Sequence, residues 1–399
     1  MALLLGALDI GTQTTSLIAG EYEDGRLTIL HCTSTETVGV KKGIIRDIDA
    51  VVRGVRKVYQ EMQKNHKIDL NDVIVNFSSA AINTLARPGY KSLLPGHAID
   101  ENDVYEAEQN AFSDAAPDAM DVLVHRFRQK YEVNGQPVNT PLGMTGSKLT
   151  ANILELTAPK SSIDALNSVI HKAGIRQSDV VFSAAADAEA VLDRRSRDEG
   201  SLVINFGAGT SDYMMLCNGT VAAAGAISVG GSHLTNDLAL AFQLSQAQAE
   251  EVKLAKGAAM IQPDLSSERY SLHSAFATTE RTISVHAIQT VTTERVNETL
   301  RLLHDLLEEK GFLSLLHGRL YLTGGTAALP LITEQASAIF GLPCTLGIPL
   351  NVSGMPEQMQ KEPARFATAI GLLCWRVRNL SAEERRPSLF SRIRNFLRG

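Results

Sequence analysis

The amino-acid sequence predicts a two-lobed α/β protein made by internal duplication. Strand-rich segments at residues 3–8, 14–21 and 27–32 precede a helical stretch and a further buried strand, the succession expected of a layered α/β unit. The segment Asn205-Phe206-Gly207-Ala208-Gly209-Thr210-Ser211-Asp212 repeats the logic of Asp9-Ile10-Gly11-Thr12-Gln13-Thr14, with an apolar strand on each side of a Gly-Thr turn. A chain of 399 residues, 44% hydrophobic and 21% charged, has room for two or three folded units and excludes disorder for most of its length.

Taken in order, the first three segments read as antiparallel strands joined by hairpins. Residues 47–65 have helical spacing through Ile48, Val51, Val52, Val55, Val58, Tyr59 and Met62. Residues 73–77 form the next buried strand. From 80 to 158 the texture changes: alternating segments near 122–131 and 148–156 flank a polar helix near 103–113, which predicts an inserted α+β subdomain. Residues 161–173 are again helical, and strands at 179–183 and 202–206 lead into the second glycine turn. A third turn, Thr323-Gly324-Gly325-Thr326, follows a strand at 320–322 and precedes a helix from Leu329.

Charge is distributed unevenly. Residues 376–399 hold seven arginines against two glutamates, net +5, which leaves −11 for the rest of a chain whose total is −6. An acidic body excludes nucleic acid as its partner. Cys32, Cys217, Cys344 and Cys374 are far apart and form no metal-ligand pattern, so they read as buried, reduced thiols of a cytosolic protein. The apolar start lacks the basic flank and cleavage site of a signal peptide, and no stretch reaches the ~20 apolar residues of a membrane span.

Glycines let a turn approach a phosphate closely, and threonine hydroxyls add neutral donors. Either Gly-Thr turn alone reads as an ordinary tight hairpin. Two of them in duplicated settings predict a clamp for a polyphosphate. A strand, not a helix, follows each turn, which disfavours the Walker loop and the dinucleotide fingerprint. Gly324, Gly325 and Thr326 offer bare backbone for a base or ribose. Glu250 and Lys253, three apart on one helical face, could hold ribose hydroxyls or form a solvated ion pair.

Two phosphate turns, an E-x-x-K helix and a late G-G-T turn, in that order, resemble the superfamily of actin, sugar kinases and heat-shock chaperone ATPases. Within it the sequence resembles the FtsA family of bacterial division proteins. That resemblance is carried by Gly39-Val40-Lys41-Lys42-Gly43-Ile44-Ile45-Arg46-Asp47, Pro141-Leu142-Gly143-Met144-Thr145-Gly146, Leu322-Thr323-Gly324-Gly325 and Pro349-Leu350-Asn351-Val352-Ser353-Gly354. It implies a duplicated actin-like (ribonuclease H-like) ATPase fold: subdomain 1A at 1–79 and 159–198, inserted 1C at 80–158, 2A at 199–240 and 312–378, 2B at 241–311, and a short linker with a membrane-targeting helix at 379–399.

The resemblance also implies ATP and Mg2+ as cofactors. Nucleotide contacts are expected from Gly11, Thr12, Gln13, Thr14, Gly207, Ala208, Gly209, Thr210, Gly230, Gly231, Glu250, Lys253, Gly324, Gly325 and Thr326. Asp9 would hold the magnesium through water and act with Asn205 as a weak catalytic pair. Asn205 stands where relatives usually have Asp, and Ser183-Ala184 where many have Glu-Pro. Both changes predict slow or absent hydrolysis, with Asp212 and Glu189 as substitutes. Implied partners are the C-terminal tail of the tubulin-like FtsZ at 2B, further copies of the chain in actin-like filaments, and other division proteins through 1C. In 2B, Ile288-Gln289-Thr290-Val291 replaces a motif that some relatives carry.

At the C-terminus, Leu389, Phe390, Ile393, Phe396 and Leu397 form one apolar stripe, flanked by Arg392, Arg394 and Arg398. A helix of ~11 residues lies in an anionic membrane interface and does not cross it. Residues 379–386 read as a connector spanning at most ~28 Å when extended. The expectation is therefore a peripheral protein on the cytoplasmic face of the bacterial cell membrane at the division site. A small-molecule kinase of the same superfold and an adaptor like the pilus protein PilM are the alternatives.

Overall fold

A computed structural model of the chain describes residues 2–113, 120–265, 267–272 and 281–385. Five strands of each main sheet share one order, so the duplication inferred from the two turns extends to the sheets. In the first, Leu3–Ile10, Thr14–Glu23 and Arg26–Glu36 form an antiparallel meander. Val73–Phe77 and Gln177–Phe182 then add parallel strands on the far side of Leu3–Ile10, and Val352–Ser353 closes the other edge. In the second, Ser201–Phe206, Ser211–Cys217 and Thr220–Ile227 form the meander, and Leu320–Thr323 and Cys344–Leu346 are the parallel additions.

Local chemistry explains the helices that pack on these sheets. The helix Ile48–His66 starts at Asp47, whose carboxylate accepts from Ala50 N at 3.0 Å, and buries Val51, Val52, Val55, Val58 and Met62 as their spacing requires. The helices Ser183–Val191 and Ala367–Arg385 cross between the sheets. Their contact is so close that a Cβ on Gly371 would overlap the Ala186 backbone.

Residues 83–159 build a separate four-stranded sheet in the order Asn83–Ser92, Lys148–Pro159, Asp121–Val133, Gln136–Val138, with the helix Glu101–Ser113 laid across it. His125 ties this sheet to the first lobe. Its Nε2 accepts from Phe182 N at 2.9 Å, and its ring lies 4.9 Å from that of Trp375. Beyond the second sheet, Leu238, Val252, Leu272, Ile283 and Ile288 form a small core of their own.

Three readings are corrected. Ser183 opens a helix and does not close a strand. After Gly324 the chain makes a 3-10 turn, Gly325–Ala328, and the helix begins only at Ile332, because the residue before Pro330 is kept out of helical geometry. The connector at 379–386 is not extended: the helix Ala367–Arg385 runs through nearly all of it. The stretch Asn379-Leu380-Ser381-Ala382-Glu383-Glu384-Arg385 contains neither Gly nor Pro to stop a helix, and Pro387 is the first breaker. At 1.5 Å per residue it therefore spans about 10 Å. The expected membrane-binding residues, from Leu389 to Arg398, lie outside the described residues. No described helix is long and apolar enough to cross a membrane.

The four cysteines are free and half-buried. Burial pushes the Cys32, Cys344 and Cys374 thiols up to about 12, which keeps them protonated and unreactive.

Candidate functional site

A cleft with a cavity volume of 390 Å³ opens between the two sheets, within the size range of small-molecule sites. Both Gly-Thr hairpins face into it. Gly11 N bonds Thr14 O at 3.0 Å, and Gly207 N bonds Thr210 O at the same distance, so the two turns close by the same backbone contact. Asp9, Gly11, Thr12, Gln13 and Thr14 line one wall, and Asn205, Gly207, Ala208, Gly209 and Thr210 the other. The hairpins meet at their tips, where Gly209 has no room for a Cβ beside Thr12.

The motif from Gly39 to Asp47 becomes a short two-stranded hairpin, Val40–Lys41 with Ile44–Ile45, over the mouth of the cleft. Gly43 N donates to Thr12 Oγ1 at 3.1 Å, which fixes this flap to the first Gly-Thr turn.

Glu250 and Lys253 lie at the side of the cleft, 2.7 Å apart. The bland alternative, a solvated pair, fails here: Lys253 is 8% exposed and also donates to Thr235 Oγ1 at 3.0 Å and Gly231 O at 3.3 Å. Burial opposes ionisation of Glu250, yet the Lys253 charge and hydrogen bonds from Lys253, Thr235 and Gln13 hold its carboxyl below the usual range. Gly324, Gly325 and Thr326 complete the lining. Gly230 and Gly231 stand behind the second hairpin instead. Gly231 N donates to Gly207 O at 2.9 Å, and a Cβ on Gly230 would lie 2.5 Å from that same oxygen.

Three carboxylates dominate the electrostatics. Asp9 is pushed up to about 7 by burial and then by the charge of Asp187. Asp212 reaches about 7 by burial, opposed by a hydrogen bond from Ser78 and reinforced by Asp187 and Asp9. Asp187 is also raised to about 7 by burial, against hydrogen bonds from Thr368, Asn205 and Thr323. Carboxylates this close and this poorly hydrated resist being charged together. Glu189 is not among them: it pairs with Arg197 at 3.1 Å and with Arg378, outside the cleft lining.

Sequence reasoning passed over Asp187, Ser78, Asn76 and Thr368. Asn76, a polar residue inside the buried strand Val73–Phe77, was a legible signal; its Oδ1 accepts from Ile10 N at 2.7 Å and so fixes the approach to the first hairpin. Asp187, an acid directly after the run Ala184-Ala185-Ala186, was another. Thr368 gave none, because only the helix crossing brings it to Asp187.

A family model described as "Cell division protein FtsA" matches residues 202–371, and one described as "SHS2 domain inserted in FTSA" matches residues 89–157. The chain is 26% identical over 378 residues to the cell division protein FtsA of Pseudomonas aeruginosa, covering 93% of this chain and 89% of that one. It is 25% identical over 379 residues to FtsA of Escherichia coli strain K12, with the same coverage. Among solved structures, a "PilM-PilN type IV pilus biogenesis complex" covers 93% of this chain and 98% of its own, with a TM-score of 0.66 and 18% identity. MreB5 of Spiroplasma citri bound to ADP covers 96% and 98%, with a TM-score of 0.56 and 15% identity. At such identities the solved structures show the fold, which is actin-like.

Proposed function

The chain belongs to the FtsA family of cell division proteins, and on that premise we propose that its cleft binds ATP with Mg2+ and that the protein assembles on the cytoplasmic membrane at the division site. There it would tether the FtsZ polymer by the FtsZ C-terminal tail. The carrying observation is the pair of Gly-Thr hairpins facing each other across one cleft, beside the half-buried Glu250 paired with the buried Lys253. A neighbour of the same fold, MreB5 of Spiroplasma citri, was solved with ADP.

The residues present fit the nucleotide and its cation. The hairpins offer backbone N–H groups and hydroxyls to the cleft, and Asp9 and Asp212 supply carboxylates beside them. Gly11 to Thr14 and Gly207 to Thr210 would hold the phosphates, Glu250 and Lys253 the ribose, and Gly324 to Thr326 the base side. Asp9 would hold the cation through water. Mg2+ supplies charge neutralisation at the phosphoryl oxygens when bound.

Hydrolysis is expected to be slow or absent. Asn205 is neutral, Ser183 gives its hydroxyl to Phe77 O at 3.2 Å, and Glu189 is held by arginines. That leaves Asp212, already bonded to Ser78 at 2.8 Å, as the carboxylate nearest the task.

Membrane attachment rests on the apolar stripe and arginines of residues 389–398. One weak anchor gives modest affinity, whereas a filament displaying many binds by avidity. The inserted sheet of residues 83–159 would meet other division proteins, and the region 241–311 the FtsZ tail. Flotation of the full chain with anionic vesicles, with and without ATP, tests this reading. Nucleotide-dependent filaments on lipid, lost on removing residues from Ser388 onward, are expected; a monomer indifferent to lipid would refute it.

A further inference from the structure

Asp187 lies where the two lobes join and is completely buried. Its carboxylate accepts hydrogen bonds from three elements. Thr368 Oγ1, on the helix Ala367–Arg385, reaches Oδ1 at 2.8 Å; Asn205 Nδ2 and Thr323 Oγ1, on two strands of the second sheet, reach Oδ2 at 2.7 and 3.1 Å. Asn205 Nδ2 also donates to Thr368 Oγ1 at 2.9 Å.

These bonds select one orientation of the Asn205 amide. Both of its hydrogens are used, one on the carboxylate and one on a hydroxyl that has given its own hydrogen to the same carboxylate. Turned over, the amide would set its carbonyl oxygen against two acceptors. Asn205 Oδ1 is therefore directed away from Asp187, toward Gly207 and Gly324 of the cleft lining; a Cβ on Gly324 would lie 2.5 Å from it. No described residue donates to this oxygen.

We propose that Asp187 is a positioning residue: it locks the Asn205 amide so that the cleft presents a neutral carbonyl acceptor, suited to a water bound beside the phosphates. The use of that acceptor rests on the nucleotide reading above; the lock itself does not. The pair is reciprocal. Asp187 needs a donor opposite it, and a carboxylate at position 205 would place two buried acids 2.7 Å apart, where both cannot ionise.

A double-mutant cycle on the full chain tests the lock by thermal unfolding without nucleotide. Asn205→Asp and Asp187→Asn alone should each lower Tm by about 5 °C or more, since each leaves a buried polar group mismatched. The combination, which restores one donor and one carboxylate across the contact, should recover most of that loss. If a single variant yields no folded protein, a folded double variant with near-parental Tm still supports the lock. Equal Tm for parent and singles, or a double variant no better than the worse single, overturns it. MgATP titration of the same proteins separates the two claims: Asp187→Asn should bind about tenfold more weakly than parent. Failure of the parent itself to bind would refute the nucleotide reading while the unfolding cycle still judges the lock.

Discussion

Gln13 of the first hairpin donates its Nε2 to Glu250 Oε1 across the cleft at 3.1 Å, joining residues 237 positions apart. Glu250 simultaneously holds Lys253 and accepts from Thr235 Oγ1 at 2.5 Å, so the side of the cleft proposed for the ribose is linked directly to the first Gly-Thr hairpin of the opposite lobe.

Because the Gln13–Glu250 contact is exposed, it contributes little to folding, on the order of 1 kcal/mol or less. Its place at the cleft mouth gives it leverage over opening. Gln13→Ala should leave Tm nearly unchanged and speed release of a fluorescent ATP analogue a few-fold in stopped flow. An unchanged release rate would show that the contact does not govern opening.

The three cleft carboxylates make the nucleotide-free protein sensitive to base. Each has a folded-state value of about 7 against 3.8 when unfolded, so each contribution is fully present below pH 3.8 and is lost as pH rises through 7. Stability should therefore fall between about pH 4 and pH 7 and level off above that. Asp212→Asn stays neutral and relieves its neighbours, so its Tm should decline less over that interval. Parallel pH curves for parent and variant would contradict the electrostatic account.

His125 works in the opposite sense. Burial, aided by the Arg378 charge, lowers it to about 3 from 6.5, so the folded protein resists a proton that the unfolded chain accepts. Stability linked to His125 is present above pH 6.5 and is lost as pH falls toward 3. His125→Gln can still accept from Phe182 N but does not titrate. The variant should lose some stability at neutral pH, where ring packing on Trp375 is gone, and less than the parent on acidification to pH 5. Denaturant midpoints at both pH values provide the comparison.

Phe396→Glu places a charge on the apolar stripe and should release the protein from anionic vesicles without changing its Tm. Continued co-flotation would remove the stripe from the account of membrane attachment.

The parts of the architecture that depend on local chemistry were legible in the sequence. Alternating strands, the helix after Asp47 and both Gly-Thr turns follow from periodicity and from what glycine permits, and the duplication followed from recognising the second turn as a copy of the first. Asp187 and Thr368 were harder to find because they meet only through the crossing of two helices 181 positions apart in sequence. The connector illustrates the converse: its polar composition resembles a linker, yet without Gly or Pro it simply continues the helix before it. Glu189 had the right chemistry for a catalytic substitute, but Arg197 and Arg378 already hold it.

Titration of MgATP into the full chain and into Gly207→Val tests the phosphate clamp most directly. A Cβ at position 207 would stand 3.0 Å from Thr210 O, in the turn that a phosphate must approach. The clamp predicts tight binding by the parent and at least about a hundredfold weakening in the variant, with the Tm of the variant confirming that it is folded. Equal affinity in the two proteins would contradict the clamp and place the nucleotide elsewhere.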